Sequence, residues 1–151
     1  MMWEIETDSS QWSENGMSAP YSHHNLRQYA ENYDADPIHA GQIRLVVEAE
    51  GAPVGLVDLY DINPRNRTAF IGIYTMPSKR RRGFALRGVT LMERYARELL
   101  NLRIIAAKVA ESNRPSLQLF AKSGYNHVGT MVHWLLQGSS SQGLLLYEKV
   151  F

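Results

Sequence analysis

Cysteine is absent from the 151 residues, which removes disulfides, thiolate metal ligands and a cysteine nucleophile together. Long apolar runs are also missing. No stretch approaches the length of a membrane span, and the N-terminus shows no signal peptide, so a cytoplasmic location is expected. Charge of one sign is lacking as well: 16 Lys and Arg stand against 15 Asp and Glu, a formal net charge of +1. No global field therefore draws the chain to nucleic acid or to an anionic membrane. His23 and His24 are neighbours, which does not orient both rings towards one ion, and no other histidine sits at ligand spacing. No metal site is expected. Repeats are absent, and 138–143 is the one low-complexity stretch.

What is present is an ordinary globular composition, 44% hydrophobic and 21% charged, in a length that suits a single domain with its own core (residues 1–151). The chain is organised around Lys79-Arg80-Arg81-Arg82-Gly83-Phe84-Ala85. Upstream, 67–76 has the β-branched and aromatic content of a buried strand, which Pro77 ends. Downstream, Ala85, Val89, Met92, Ala96 and Leu99 recur at helical spacing over about 83–100. A helix N-terminus presents unpaired N–H groups and a positive dipole end, and arginines around it add charge. Gly83 lets a ligand approach the backbone closely. The stretch reads as an anion cradle, most naturally for a pyrophosphate. A Lys-Arg run is otherwise a solvated face or a nucleic-acid patch; the strand–loop–helix context favours the cradle.

The rest of the chain fits around this unit. Residues 1–22 are polar and read as a short helix or irregular segment. Ser22 caps a helix through Leu26, Tyr29, Ala30 and Tyr33 that ends before Pro37. Residues 42–50 alternate as a strand with one wet face, 51–53 turn, and 54–60 return as the second arm of a hairpin. After a turn at 61–66 comes the strand at 67–76. Residues 102–110 form a central strand, parallel to 67–76 because a helix connects them. Ser112 or Asn113 caps a helix over 114–123, and strands at about 125–136 and 143–150 follow. The expected class is α+β, a mixed and mostly antiparallel sheet with helices on its faces.

The P-loop pattern is missing, and Gly83-Phe84-Ala85-Leu86-Arg87-Gly88 fits the dinucleotide fingerprint only loosely. Arg80-Arg81-Arg82-Gly83-Phe84-Ala85 fits [QR]-x-x-G-x-[GA] better, the acetyl-CoA signature of the GNAT N-acetyltransferases. The stretch 111–116 (Glu-Ser-Asn-Arg-Pro-Ser), Leu119-Phe120-Ala121-Lys122-Ser123-Gly124-Tyr125 and Gly129 match the family's later motif in kind and order. From about Ile43 to Phe151 the chain resembles the branch containing ribosomal-protein N-terminal and spermidine acetyltransferases. The resemblance implies a sheet whose parallel pair splays around acetyl-CoA, with helices on both faces, and a chain that begins after the family's first strand and most of its first helix. A sheet edge left open in that way makes a homodimer plausible.

The resemblance also implies roles. Arg80, Arg81, Arg82, Gly83, Phe84 and Ala85 would hold the pyrophosphate. The backbone of Tyr74 and Met76 would pair with the pantetheine arm like an added strand, one N–H polarising the thioester carbonyl; plain strand packing is the alternative, and for their side chains the better one. Asn113 either caps its helix or bonds the pantetheine arm. Phe120 stands where many members place a tyrosine acid, and phenylalanine donates no proton. Ser116, three residues after Asn113, is then the group that would face the leaving thiolate, unless it makes a local helix bond. Asp58 is the nearest carboxylate for a base, unless solvated, with Asp61 and His133 behind it. The implied function is acetyl-CoA-dependent transfer to a primary amine (a polyamine, a protein N-terminus or a small amine). A CoA-binding protein without turnover and a nucleic-acid binder are the competing classes; the second lacks a basic excess and interleaved surface aromatics.

Overall fold

The computed structural model describes residues 22–34 and 36–151. The polar lead-in expected for 1–22 lies outside them except for Ser22. Ser22 caps α1 (His23–Glu31), its side chain accepting the Asn25 N–H at 3.1 Å. The helix stops two residues short of Tyr33. A separate turn of helix not foreseen from the sequence, α2 (Pro37–Ala40), follows, because Asp36 caps it through the N–H groups of Ile38 and His39 while Pro37 supplies the first-turn φ.

Six strands form one sheet: β1 (Ile43–Ala49), β2 (Ala52–Asn63), β3 (Thr68–Thr75), β4 (Ile104–Ala110), β5 (Asn126–Gln137) and β6 (Ser140–Val150), in the order β1-β2-β3-β4-β6-β5. Every neighbouring pair is antiparallel except β3–β4. The mixed α+β sheet with one parallel pair is the architecture the sequence implied. β2 runs longer than expected at both ends, and β6 begins at Ser140, so the polar stretch at 138–143 contracts to a two-residue hairpin turn closed by Gln137 and Ser140.

The crossover from β3 to β4 carries a 3-10 turn (Pro77–Lys79) and α3 (Phe84–Glu98). Helix α3 buries Val89, Met92 and Ala96 against Val57, Leu59, Ile71 and Ile105. Side chains the size of Val89 and Met92 contribute about 1.5–3 kcal/mol each when fully buried, and Ala96 less. Its one buried charge, Glu93, meets Lys149 of β6 at 2.7 Å. Lys149 also donates to the Ser123 carbonyl at 2.8 Å, tying α3 to the end of α4 (Arg114–Lys122).

The parallel pair is brief. Thr68, Ala69 and Phe70 pair with Ile104, Ile105 and Ala106, and there the ladder stops. β3 goes on with β2 as far as Thr75↔Gly55, and β4 goes on with β6 as far as Ala110↔Leu144. Each strand stays held on its outer edge while the inner edges part. On β2, Gly55 lets the carboxyl end of β3 lie close, since a Cβ there would stand 2.2 Å from the Tyr74 carbonyl oxygen. Gly55→Ala should therefore cost about 1–3 kcal/mol in urea denaturation, whereas Gly72→Ala, whose Cβ would meet nothing nearer than 3.8 Å, should stay within about 0.5 kcal/mol. Equal midpoints for the two variants would refute the close approach.

Candidate active site

The splay opens a cavity of about 1430 Å³ lined by β2, β3, β4, the arginine loop and the start of α4. Strand register decides which backbone groups face it. The Met76 N–H donates to the Val54 carbonyl at 3.0 Å, and Tyr74 lies opposite Leu56, so even-numbered residues of β3 bond towards β2. Odd-numbered residues bond the other way, as Arg67 does when its carbonyl takes the Arg103 N–H at 2.8 Å. Beyond Phe70 that other side is the gap. Ile73 and Thr75 are thus the residues whose N–H groups point into it. The expectation for the backbone of Tyr74 and Met76 is corrected by one residue, for that register reason.

The anion loop closes one end. The ladder of α3 starts with the Arg87 N–H donating to the Gly83 carbonyl at 3.1 Å. The amide hydrogens of Arg81 to Leu86 meet no acceptor among the described residues. Gly83 holds φ +80°, Arg81 holds φ +60°, and the space a Gly83 Cβ would enter is open. The cap carries no side-chain bond, so the positive end of the helix is left for a ligand. The arginines divide their work. The Arg80 Nε donates to the Thr75 carbonyl at 3.1 Å, tying the loop to β3, and the Arg82 guanidinium lies 5.3 Å from the Phe84 ring centroid.

Across the gap, Asn113 accepts the Ser116 N–H through Oδ1 at 3.2 Å, the helix-cap alternative of its two readings. The Ser116 hydroxyl makes no local helix bond and lines the cavity, half-buried. Phe120 is buried, packed edge-on against Tyr125 at 5.1 Å between centroids. Asp58 also lines the cavity, but Arg44 clamps both of its oxygens, Nε to Oδ1 at 2.9 Å and Nη2 to Oδ2 at 2.8 Å. That clamp makes Asp58 a fixed wall of the site rather than a solvated carboxylate. Burial pushes the nearby Tyr60 phenol up to about 12, with the Asp61 and Asp58 charges adding to it, so it stays protonated at neutral pH and takes up no proton there. His133 bonds Ser141 at 3.0 Å on the β5–β6 hairpin and does not line the cavity.

Arg44 and Tyr60 line the cavity without having been singled out by the sequence, and so do two further residues. Lys108 stands two residues past the last β3–β4 pair, its Nζ 3.9 Å from the Phe70 centroid. Trp134 is exposed and lines the cavity from the stretch where β5 loses register with β6, between Met131 and Leu135. Such a break re-aims a side chain, and nothing in the local sequence (Val132-His133-Trp134) announces it.

These features match a described family. The model of the acetyltransferase (GNAT) family matches residues 2–125. The chain belongs to that family. A spermidine N(1)-acetyltransferase of Escherichia coli (strain K12) is 29% identical over 106 residues, 70% of this chain and 57% of the relative. The Vibrio cholerae enzyme of the same description is 33% identical over 90 residues, 59% of this chain and 52% of that one. The chain thus spans little more than half the length of these curated relatives. The GNAT fold is equally plain in three dimensions. The Vibrio cholerae spermidine N-acetyltransferase in complex with CoA and spermine has a TM-score of 0.85 at 22% identity, over 99% of this chain and 87% of its own. A dodecameric form in an intermediate state gives 0.76 at 25% identity, over 87% and 77%. No helix among the described residues is long and apolar enough to cross a membrane.

The loop geometry makes a two-step prediction. Gly83→Ala adds only backbone strain, because its Cβ would enter open space, at about 1 kcal/mol. Gly83→Glu adds the same strain plus a carboxylate where an anion would sit. Calorimetric CoA affinity should fall at least about tenfold further in the glutamate variant than in the alanine one. Equal losses would place CoA elsewhere.

Proposed function

We propose that the protein is an acetyl-CoA-dependent N-acetyltransferase acting on a primary amine. The observation that carries the reading is the splayed parallel pair: strand N–H groups at Ile73 and Thr75 face a gap that ends at the N–H groups of Arg81 to Leu86, which have no acceptor among the described residues. A pyrophosphate fits the loop, whose donors have no partner among the described residues and whose glycine leaves room for it. A pantetheine arm fits the gap as an added strand. Family membership and the amine-acetylating relatives support the same reaction.

In that reaction acetyl-CoA supplies the activated acyl group. The Thr75 or Ile73 N–H would donate to the thioester carbonyl oxygen, where charge develops. The amine would take the acetyl group in exchange for the thiol and pass its proton to water. The Ser116 hydroxyl, keeping its own proton, would donate a hydrogen bond to the departing sulfur, the one part that Phe120 does not perform. Asp58 would hold Arg44 against the acceptor wall instead of serving as the base. Single-domain organisation, and pairing of two copies through the edge strand β1, belong to this proposal too; Val46 is half-exposed on that strand.

A donor that acts on an anion formed late in the reaction lowers the barrier without tightening the ground state. Ser116→Ala should therefore lower kcat roughly 10- to 100-fold while the KM for acetyl-CoA moves little. Wild-type kcat would leave the sulfur to water. Tight CoA binding with no acetyl transfer to any amine would replace the proposal by a CoA-binding protein without turnover, the reading Phe120 favours.

A further inference from the structure

The charges that line the cavity are unbalanced. Among the described residues Arg44, Lys79, Arg80, Arg81, Lys108 and Lys122 line it, and Asp58 is the one carboxylate that does. Asp58 is already committed to Arg44 with both oxygens. Lys79, Arg80 and Arg81 belong to the anion loop at the carboxyl end of β3. Lys108 is different. It stands at the apex of the splay, just past Ala106, where the two strands separate and where an acyl group and an amine would have to meet.

Its surroundings hold its ammonium in place. The Nζ lies 3.9 Å from the Phe70 centroid and 5.6 Å from that of Tyr60, two rings stacked at 5.6 Å. The aromatic faces attract the cation without neutralising it. Its nearest carboxylate oxygen, Asp61 Oδ2, is 3.8 Å away on a side chain 66% exposed, a contact at the outer limit of an ion pair and open to water. A polycationic acceptor would bring its further ammonium groups to a lining that holds a fixed cation and, among the described residues, a single carboxylate already bound to Arg44; Asp61 stands outside that lining. An acceptor with an anion near its amine would meet a ready partner.

We propose that the acceptor is a small amine bearing a carboxylate or a phosphate, and that Lys108 is the specificity-determining residue that receives this anion. The proposal rests on the acetyltransferase reading and narrows it. It places the negative group a short chain away from the reacting nitrogen, because Lys108 adjoins the apex itself.

The test compares acetyl transfer to propylamine, β-alanine, phosphoethanolamine and spermidine by the wild-type protein, Lys108→Gln and Lys108→Arg. Wild-type KM should be about 10- to 100-fold lower for β-alanine or phosphoethanolamine than for propylamine, and lower than for spermidine. A lead for β-alanine assigns a carboxylate, and a lead for phosphoethanolamine assigns a phosphate. In Lys108→Gln the ratio of KM values between propylamine and the preferred anionic amine should collapse towards one, and Lys108→Arg should restore most of it. Calorimetry of the same four amines on the CoA-loaded protein gives the ranking independently of turnover. Spermidine ranking first in wild type, or a ratio unmoved by Lys108→Gln, overturns the proposal while acetyl transfer still stands. Absence of acetyl product from every amine, with CoA bound, removes the acetyltransferase reading instead, and the calorimetric ranking then decides the anion site.

Discussion

Three residue pairs, Thr68 to Phe70 with Ile104 to Ala106, hold the halves of the sheet together, and everything chemical in the molecule depends on the ladder ending there. A parallel pair that ran on to Thr75 and Ala110 would satisfy its own backbone and leave no slot. Because β3 keeps β2 and β4 keeps β6, neither strand frays when the two part. The inner edges expose N–H and C=O groups that a folded protein ordinarily pairs. A rigid edge with unmet donors is pre-organised for an extended ligand, since the ordering cost was met when the sheet folded.

The anion loop depends on the same event. Arg80 reaches back to the Thr75 carbonyl, one of the groups freed by the splay, and so fixes the loop to the strand end it follows. Helix α3 is anchored in its second half by the pair that buried Glu93 makes with half-buried Lys149 and by the contact of Lys149 with the Ser123 carbonyl. Removing Lys149 would leave the buried Glu93 charge without its partner, a loss that reaches about 3–5 kcal/mol in fully buried pairs. The loop and the gap are therefore set at a fixed distance by elements packed in the core, while the groups that face a ligand stay open.

Much of this was legible in the sequence. The β-branched run ending at Pro77, the Arg-Arg-Arg-Gly-Phe-Ala turn and the helical spacing after it determine strand, loop and helix locally. Connection by a helix makes the next strand parallel. What escaped depends on register. Whether Tyr74 or Thr75 turns its N–H into the gap is decided by how β3 is paired with β2, and one step of register exchanges the two. Trp134 escaped for a related reason: it reaches the cavity because β5 slips against β6, a property of two strands and not of either. The helix at Pro37–Ala40 is hard to foresee although Asp36-Pro37 is a cap followed by a favoured first residue, because a proline at that place marks the end of one helix as readily as the beginning of the next.

The two halves of the site are built from different materials, and this bears on what a family likeness can carry. The half that would hold the cofactor is made of backbone: strand N–H groups, a helix N-terminus and a glycine with φ +80°. Backbone donors survive nearly any exchange of side chains, so distant relatives can share them at 22–29% identity. The half that would hold the acceptor is made of side chains: the Arg44–Asp58 clamp, Lys108 over Phe70 and the exposed Trp134. One substitution there changes the sign of a contact, and desolvated charge contacts discriminate strongly between partners. A cofactor site built of backbone carries no information about an acceptor site built of side chains, which is why the identity of the amine has to be argued from Lys108 and its neighbours and not from the fold.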